Sequence, residues 1–330
     1  MMGPVMRLGE FDLIQRYFAP LSHQFAGARG LVDDTASLRL SEGYEAIITL
    51  DTLVSGIHFL ENDPPDQIAR KLLRINLSDL ASAGASPVGY FLSISAPETI
   101  TEDWIKSFSE GLRSDQSYFK IHLGGGDMTS TTGPLTLSLT AIGEVPYGDA
   151  LTRSGAKHGH EIWTSGTIGD AALALWIFQN KDINTSSEIV SALTARYRLP
   201  QPRVNLGLAI RNIASAAIDI SDGLIADLEH LCQASRLGAE LNAQKIPLSE
   251  ASKYLIKSNQ NLLERALTGG DDYELLFTIP EGNSKQILEI AKSTQVPLTR
   301  IGRMTADREL NIFSDSGEKL NYTANGWQHF

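Results

Sequence analysis

Aspartates stand where apolar segments of this chain end, and that arrangement limits what it can fold into. Asp51 closes Ala46-Ile47-Ile48-Thr49-Leu50, Asp79 closes Asn76-Leu77-Ser78, and Asp127 follows Gly124-Gly125-Gly126. Asp219 and Asp222 follow in Ile218-Asp219-Ile220-Ser221-Asp222-Gly223. An apolar strand or helix must be buried, so an acid at its end is carried by rigid backbone to the rim of a core. Acids gathered at such a rim repel one another unless a cation lies among them. The pattern reads as a magnesium site, and magnesium held by one or two carboxylates commonly brings phosphate with it.

At 330 residues the chain is long enough for two cored domains. Its hydrophobic content of 42% and charged content of 20% are ordinary for a globular protein. A net charge of −11 argues against a nucleic-acid partner. A polyanionic substrate remains compatible with it, because bound metal ions reverse the local field. No apolar run reaches membrane-spanning length, and the N-terminal residues lack a basic stretch followed by an apolar core, so no membrane partner is expected. The single cysteine, Cys232, has no partner for an intramolecular disulfide, which fits a reducing cytoplasm. It continues a helical stripe of Leu224, Leu228 and Leu231 and reads as a packed core thiol.

The spacing predicts a short helix over 10–18, an acidic loop at Val32-Asp33-Asp34-Thr35 and a strand running to Asp51. Ile68, Leu72, Ile75 and Leu80 place a helix over 67–84, closed by small residues and Pro87. A strand follows over 88–95, then a helix over 101–119 with Trp104, Ile105, Phe108 and Leu112 on its apolar face. Alternation predicts a strand over 135–144. Pro146-Tyr147-Gly148-Asp149 is the candidate boundary, dividing the chain into domains over 1–147 and 148–330. Beyond it come a strand over 161–164, an alanine-rich helix after Gly169-Asp170, and a helix after Pro202. A strand over 216–220, the Leu224 helix and a late strand over 273–279 complete the reading. Strands and helices mix in both halves, giving an α/β (α+β) class of mixed sheets packed with helices.

No G-x-x-x-x-G-K-[ST] stretch is present, so a P-loop is excluded. Gly124-Gly125-Gly126-Asp127 reads as a glycine turn, either structural or bringing backbone close to a phosphate. Asp33-Asp34 read alone as a solvated turn and, beside metals, as a ligand with its orienting neighbour. Asn76 and Asp79 share a helical face, serving either one cavity or a helix-end hydrogen-bond network. The amides after Ser221 favour a phosphate or a cap from Ser221 or Asp222. Arg153 would reach a phosphate or form a surface ion pair. His58 would bond a phosphate or serve structure. Trp327 would stack on an aromatic ring or dock on the core.

Together these residues resemble the thiamine-monophosphate kinase family, of the superfamily that includes aminoimidazole ribonucleotide synthetase and selenophosphate synthetase. The resemblance runs nearly end to end. It begins with Gly9-Glu10-Phe11, Asp33-Asp34, Leu50-Asp51-Thr52-Leu53-Val54 and Gly56-Ile57-His58-Phe59. It continues through Asn76-Leu77-Ser78-Asp79-Leu80-Ala81, Gly125-Gly126-Asp127 and Leu151-Thr152-Arg153-Ser154-Gly155-Ala156. Ile218–Leu224, Gly269-Gly270-Asp271-Asp272-Tyr273-Glu274-Leu275 and Gly326-Trp327-Gln328-His329-Phe330 complete it. The family implies a two-domain aminoimidazole ribonucleotide synthetase-like architecture and ATP-dependent phosphorylation of thiamine monophosphate, with several magnesium ions between the domains. Asp34, Thr49, Asp51, Asp79, Asp127, Asp219 and Asp222 fall on its metal positions. Gly126, Asp127, Arg153 and Ser221 fall on nucleotide positions, and His58, Asp271 and Trp327 on positions holding the thiamine phosphate. The family also implies a homodimer assembled through the N-terminal domains, which carry metal and ATP while the C-terminal domain completes the site.

The chain departs from the family in loops. Gly-Ile-Gly-Asp-Asp is here Gly30-Leu31-Val32-Asp33-Asp34, and the strand end is Thr49-Leu50-Asp51. The glycine loop continues as Met128-Thr129-Ser130-Thr131-Thr132-Gly133 without an arginine, and Gly-Gly-Glu-Asp is Gly269-Gly270-Asp271-Asp272. The implied reaction is in-line transfer of the ATP γ-phosphoryl group to an acceptor that is already an anion. No strong base is needed, and catalysis falls to magnesium with Asp51, Asp127 and Arg153, which bring two polyanions together. Two rivals stand beside it: another ATP-using enzyme of the superfamily, or a nucleotide- and metal-binding regulator that lost turnover. Selenophosphate synthesis expects a reactive cysteine near the N-terminus, which this chain lacks.

Overall fold

The computed structural model describes residues 8–180 and 185–322, so Trp327 lies outside the described residues. The chain forms two compact units, one of residues up to Leu80 with Ser86–Tyr147, the other of Ala81–Ala85 with residues from Gly148 onward.

The first unit opens with α1 (Glu10–Leu13), continued by a π-helical turn over Ile14–Phe18. Next come β1 (Tyr44–Val54), α2 (Pro65–Ser82), β2 (Ser86–Ala96), α3 (Glu102–Phe119), β3 (His122–Ser130) and β4 (Thr136–Pro146). The four strands lie in the order β1-β4-β2-β3. Both β1 and β2 run antiparallel to β4, and β3 runs parallel to β2. Ile68, Leu72, Ile75 and Leu80 of α2 are buried, as are Ile105, Phe108 and Leu112 of α3. The Oγ1 of Thr101 accepts the N–H of Trp104 and so caps the start of α3. The two helices approach closely at Gly111, where a Cβ would lie 2.2 Å from the carbonyl oxygen of Asp66.

Two expectations change here. Asp51 does not end its strand, because β1 keeps pairing with β4 as far as Val54↔Thr136. Gly124–Gly126 form no turn but lie within β3. A register shift between Tyr90 and Phe91 seats these glycines against aromatic rings. A Cβ on Gly124 would lie 3.0 Å from the Phe91 ring and 3.2 Å from that of Phe25, and one on Gly126 would meet the Leu92 carbonyl oxygen at 2.0 Å. The glycines serve close approach within a sheet, a use that sequence alone does not separate from a turn.

The second unit contains β5 (Glu161–Ser165), α4 (Asp170–Gln179), α5 (Ser187–Arg198), α6 (Val204–Ile210), β6 (Ala216–Asp219), α7 (Leu224–Ser235) and β7 (Gly238–Asn242). Then follow α8 (Glu250–Ser258), α9 (Leu262–Thr268), β8 (Leu275–Ile279), α10 (Ser284–Thr294), β9 (Leu298–Thr305), β10 (Leu310–Phe313) and β11 (Lys319–Leu320). The seven strands are ordered β11-β10-β7-β9-β5-β8-β6, all antiparallel except the β10–β7 pair. Every residue of β5, β6 and β8 is buried. Leu224, Leu228, Leu231 and Cys232 of α7 join Ile162, Ile218, Leu276 and Ile301 in one core. Burial pushes the Cys232 thiol up to about 12, as suits an inert core thiol. Both sheets have the mixed α/β (α+β) character expected of the sequence.

The helices of the first unit are pinned by a buried ion cluster. Asp115 in α3, its side chain 1% exposed, accepts from Arg74 Nε at 2.5 Å and Nη2 at 3.0 Å and from Arg70 Nε at 3.0 Å. The Arg74 guanidinium also lies 5.6 Å from the Phe119 ring. An Asp115→Ala substitution is expected to destabilise the protein by about 3–5 kcal/mol, because it strands buried guanidinium charge. The urea midpoint for unfolding checks this, and an unchanged midpoint contradicts it.

Candidate active site

In the first unit the structure brings three of the expected residues together. Thr49 and Asp51 share one face of β1, whose alternate residues turn inward. Asp79 comes to them from α2. The Thr49 hydroxyl donates to the Asp79 carboxylate, and Asp51 and Asp79 share a carboxyl–carboxylate hydrogen bond. Burial, then the charge of Asp79, pushes the Asp51 carboxyl up to about 7. Two carboxylates this close share a proton or a cation. Asn76, one turn earlier on α2, is fully buried and donates back to the Leu72 carbonyl at 2.9 Å, while its Oδ1 accepts no hydrogen bond among the described residues.

Asp127 and Gly126 do not join this group. Gly126 shares a row with Leu92, Leu139 and Asp51, but at the opposite edge of the sheet, about 14 Å away at ordinary strand spacing. Asp127 is exposed one row further, level with Ser93 and Ser138. Among the described residues no group of three or more His, Cys, Asp or Glu stands ready for a metal. Asp33 is held by Arg29 at 2.8 Å, and Asp34 is exposed beside it.

His58 sits in a turn closed by hydrogen bonds from Ile57 and His58 N–H to the Val54 carbonyl. Its Nδ1 accepts the Val54 N–H at 3.0 Å, so in the neutral ring the proton is on Nε2. A groove of about 570 Å³ lies where β3 leaves Asp127, lined by Leu13, Ala96, Ile100, Ile105, Met128 and Ser130. Sequence reasoning missed it, since its walls come from distant segments.

In the second unit Asp219 ends β6 and is buried, and the turn to α7 carries Ser221 and Asp222, each half-buried. Neither caps the helix. The N–H groups of Ser221, Asp222 and Gly223 instead donate to Oδ2 of Asp227 at 3.0, 3.0 and 3.1 Å. Burial first, then the Asp222 charge, raises Asp227 to about 7 against these three bonds. The amides expected to meet a phosphate are thus satisfied by the helix's own first turn. Asp271 is half-buried with φ 67°, and its N–H donates to the Ser221 carbonyl at 2.7 Å. Arg153 is exposed, at a bend before β5.

Comparison with known proteins places the chain. The N-terminal domain of AIR synthase related protein matches residues 32–145, and the C-terminal domain of that family matches 151–315. Thiamine-monophosphate kinase of Escherichia coli (strain K12) is 42% identical over 326 residues, covering 98% of this chain and 99% of that protein. The crystal structure of thiamine-monophosphate kinase from Stenotrophomonas maltophilia K279a superposes with a TM-score of 0.85 at 40% identity, covering 95% of this chain and 98% of its own. A solved structure of AaThiL complexed with AMPPCP and TMP has a TM-score of 0.76 at 30% identity, covering 99% of this chain and all of its own. Kinship of this extent, through both domains, makes the chain a member of the thiamine-monophosphate kinase family.

Proposed function

We propose that this chain transfers the γ-phosphoryl group of ATP to thiamine monophosphate, giving thiamine diphosphate. The observation that carries the reading is the Asp51–Asp79 pair with Thr49, set in a chain akin to these kinases from end to end. Two carboxylates and a hydroxyl are hard oxygen donors, and magnesium takes one or two carboxylates while keeping other positions for water and phosphate. The donor set therefore fits that ion. When bound, magnesium would neutralise the facing phosphates and hold them in line.

The residues divide the remaining work. Asp34, Asp127, Asp219 and Asp222 are proposed as further magnesium ligands. Gly126, Asp127, Arg153 and Ser221 are proposed for the nucleotide, with the groove beyond Asp127 taking its base between apolar side chains. His58, Asp271 and Trp327 are proposed as the contacts to the acceptor. Asp51, Asp127 and Arg153 carry catalysis, which is charge positioning, since the acceptor oxygen is already ionised. We assign metal and ATP binding and dimerisation to residues 1–147 and completion of the site to 148–330, in a cytoplasmic protein. Among the described residues no helix is long and apolar enough to cross a membrane. A homodimer is supported by the outer face of β1, where Ile48 and Leu50 are 64% and 62% exposed in the middle of a strand.

A product assay with ATP and magnesium tests the reading, run with thiamine monophosphate beside thiamine and an aminoimidazole precursor. Thiamine diphosphate from the first acceptor alone is the expected result. Thermal stabilisation by ATP without any product would favour a regulator. Asp51→Asn at saturating magnesium is expected to lower kcat by at least about 100-fold, and near-normal turnover would refute the assignment.

The raised Asp51 also sets a pH dependence. Its folded value of about 7 exceeds the ordinary 3.8, so its contribution to stability is full below about 3.8 and is lost as pH rises through about 7. Without metal, the thermal midpoint should fall between about pH 6 and pH 8, and magnesium should restore it most at the higher pH, where no proton competes. Asp51→Asn should abolish the magnesium-dependent part, and a magnesium effect equal at both pH values would contradict the shared site. Replacing Ile48 and Leu50 together with Asp is expected to yield monomers in sedimentation velocity, whereas an unchanged dimer would place the interface elsewhere.

A further inference from the structure

The segment Gly269–Glu274, between α9 and β8, has a backbone that its own residues do not favour. Gly270, Asp271 and Tyr273 have φ values of 70°, 67° and 52°. Glycine adopts this left-handed region freely, but for aspartate and tyrosine it is unfavourable, and surrounding structure must hold it. The backbone hold is a short ladder to the turn after β6. Asp271 N–H donates to the Ser221 carbonyl at 2.7 Å, Tyr273 N–H to that of Ile220 at 2.8 Å, and Ile220 N–H to that of Glu274 at 2.8 Å. The contact is tight enough that a Cβ on Gly270 would lie 2.2 Å from the Ser221 oxygen.

The side chains alternate across this segment. Asp271 and Tyr273 are half-buried, while Asp272 and Glu274 turn into the unit at 3% and 0% exposure. Both Asp272 oxygens lie 2.9 Å from the Gly169 N–H. Glu274 accepts from Arg203 Nε at 2.6 Å and Nη2 at 2.5 Å, from Arg196 Nη2 at 2.7 Å, and from Ser165 Oγ at 2.5 Å. Gly166, at φ 58°, leaves room for it, since a Cβ there would meet Glu274 Oε1 at 2.0 Å. Two arginines from outside the segment thus close on a fully buried carboxylate. A buried ion pair of this kind adds less stability than apolar packing of the same volume, but it fixes geometry.

We propose that Asp272 and Glu274, with Arg196 and Arg203, are positioning residues that hold Asp271 at the angle from which it meets the acceptor. The proposal rests on the reading of Asp271 as an acceptor contact. Glu274 touches no substrate and acts through the backbone of residues 271–273. The turn bearing Ser221 and Asp222 keeps a hold of its own, its amides donating to Asp227, so the clamp acts on Asp271.

Steady-state kinetics of the full chain test it, varying thiamine monophosphate and ATP separately in the wild type, Asp271→Ala, Glu274→Gln and the double variant. Glu274→Gln is expected to raise KM for thiamine monophosphate by about 10-fold or more while KM for ATP stays within about 3-fold, because a slight displacement of a positioning group is costly. Added to Asp271→Ala, it should raise that KM no further, since both act through one contact. Should Glu274→Gln fail to fold, Arg203→Lys is read in its place, as it keeps the charge and loses the paired grip. An unchanged acceptor KM, a parallel rise in both KM values, or additive effects in the double variant would overturn the proposal. If Asp271→Ala itself leaves the acceptor KM unchanged, the contact reading falls first and the proposal with it.

Discussion

Removing a carboxylate from water costs several kcal/mol even after the surroundings relax, and this chain does so repeatedly. Each buried acid therefore reports what was built to hold it. Asp115 is answered by two arginines of α2, and Glu274 by two arginines and a serine. Asp227 is answered by three backbone amides, and Asp170 by the hydroxyls of Thr167, Ser249 and Ser252. Asp272 has the Gly169 amide, and burial holds its carboxyl well above the usual range. The Asp51–Asp79 pair differs in kind, because each acid has the other as a neighbour. Once both acids are ionised, such a pair costs stability instead of adding it. In the proposed reaction it is half of an interaction whose other half arrives with the substrate.

What the sequence made legible follows from periodicity. The helices α2 and α3 and the Cys232 stripe show their apolar spacing over many residues, so their faces are readable without a fold. Asp51 and Asp79 were readable as members of one acidic set because each interrupts such a pattern. Asp227 and Glu274 were not, since one lies within an apolar run and the other at the head of one, and each reads as an ordinary polar position until its partners arrive from elsewhere. The glycine run at Gly124–Gly126 misleads for a related reason. Glycine marks a place where something approaches closely, but only the packed Phe25 and Phe91 rings show that it is an aromatic side chain within a sheet. Strands β7, β9, β10 and β11 are short or irregular in pattern, and their burial is decided by neighbours distant in sequence.

The second unit shows how one turn is shaped from two sides. Asp227 collects the amides of residues 221–223 from within α7, and the 271–274 segment takes the carbonyls of residues 220 and 221 from outside. With its donors and acceptors both engaged, the turn has little freedom to reshape around a ligand. Recognition there falls to side chains projecting from a fixed backbone, a preorganisation that favours binding by lowering the ordering cost.

The strand order of the first sheet has a consequence for assembly. Among the described residues strand β1, which carries Thr49 and Asp51, is paired only with β4, and their register joins residues as far apart as Tyr44 and Pro146. During synthesis β1 is therefore made long before its neighbour exists, while β2 and β3 can already associate. Closing so long a loop is entropically slow, and high contact order of this kind delays folding. Until β4 enters between its two partners, the exposed apolar residues of β1 and both acids of the pair remain unassembled. The proposed seat of the chemistry is thus among the last parts of its unit to form.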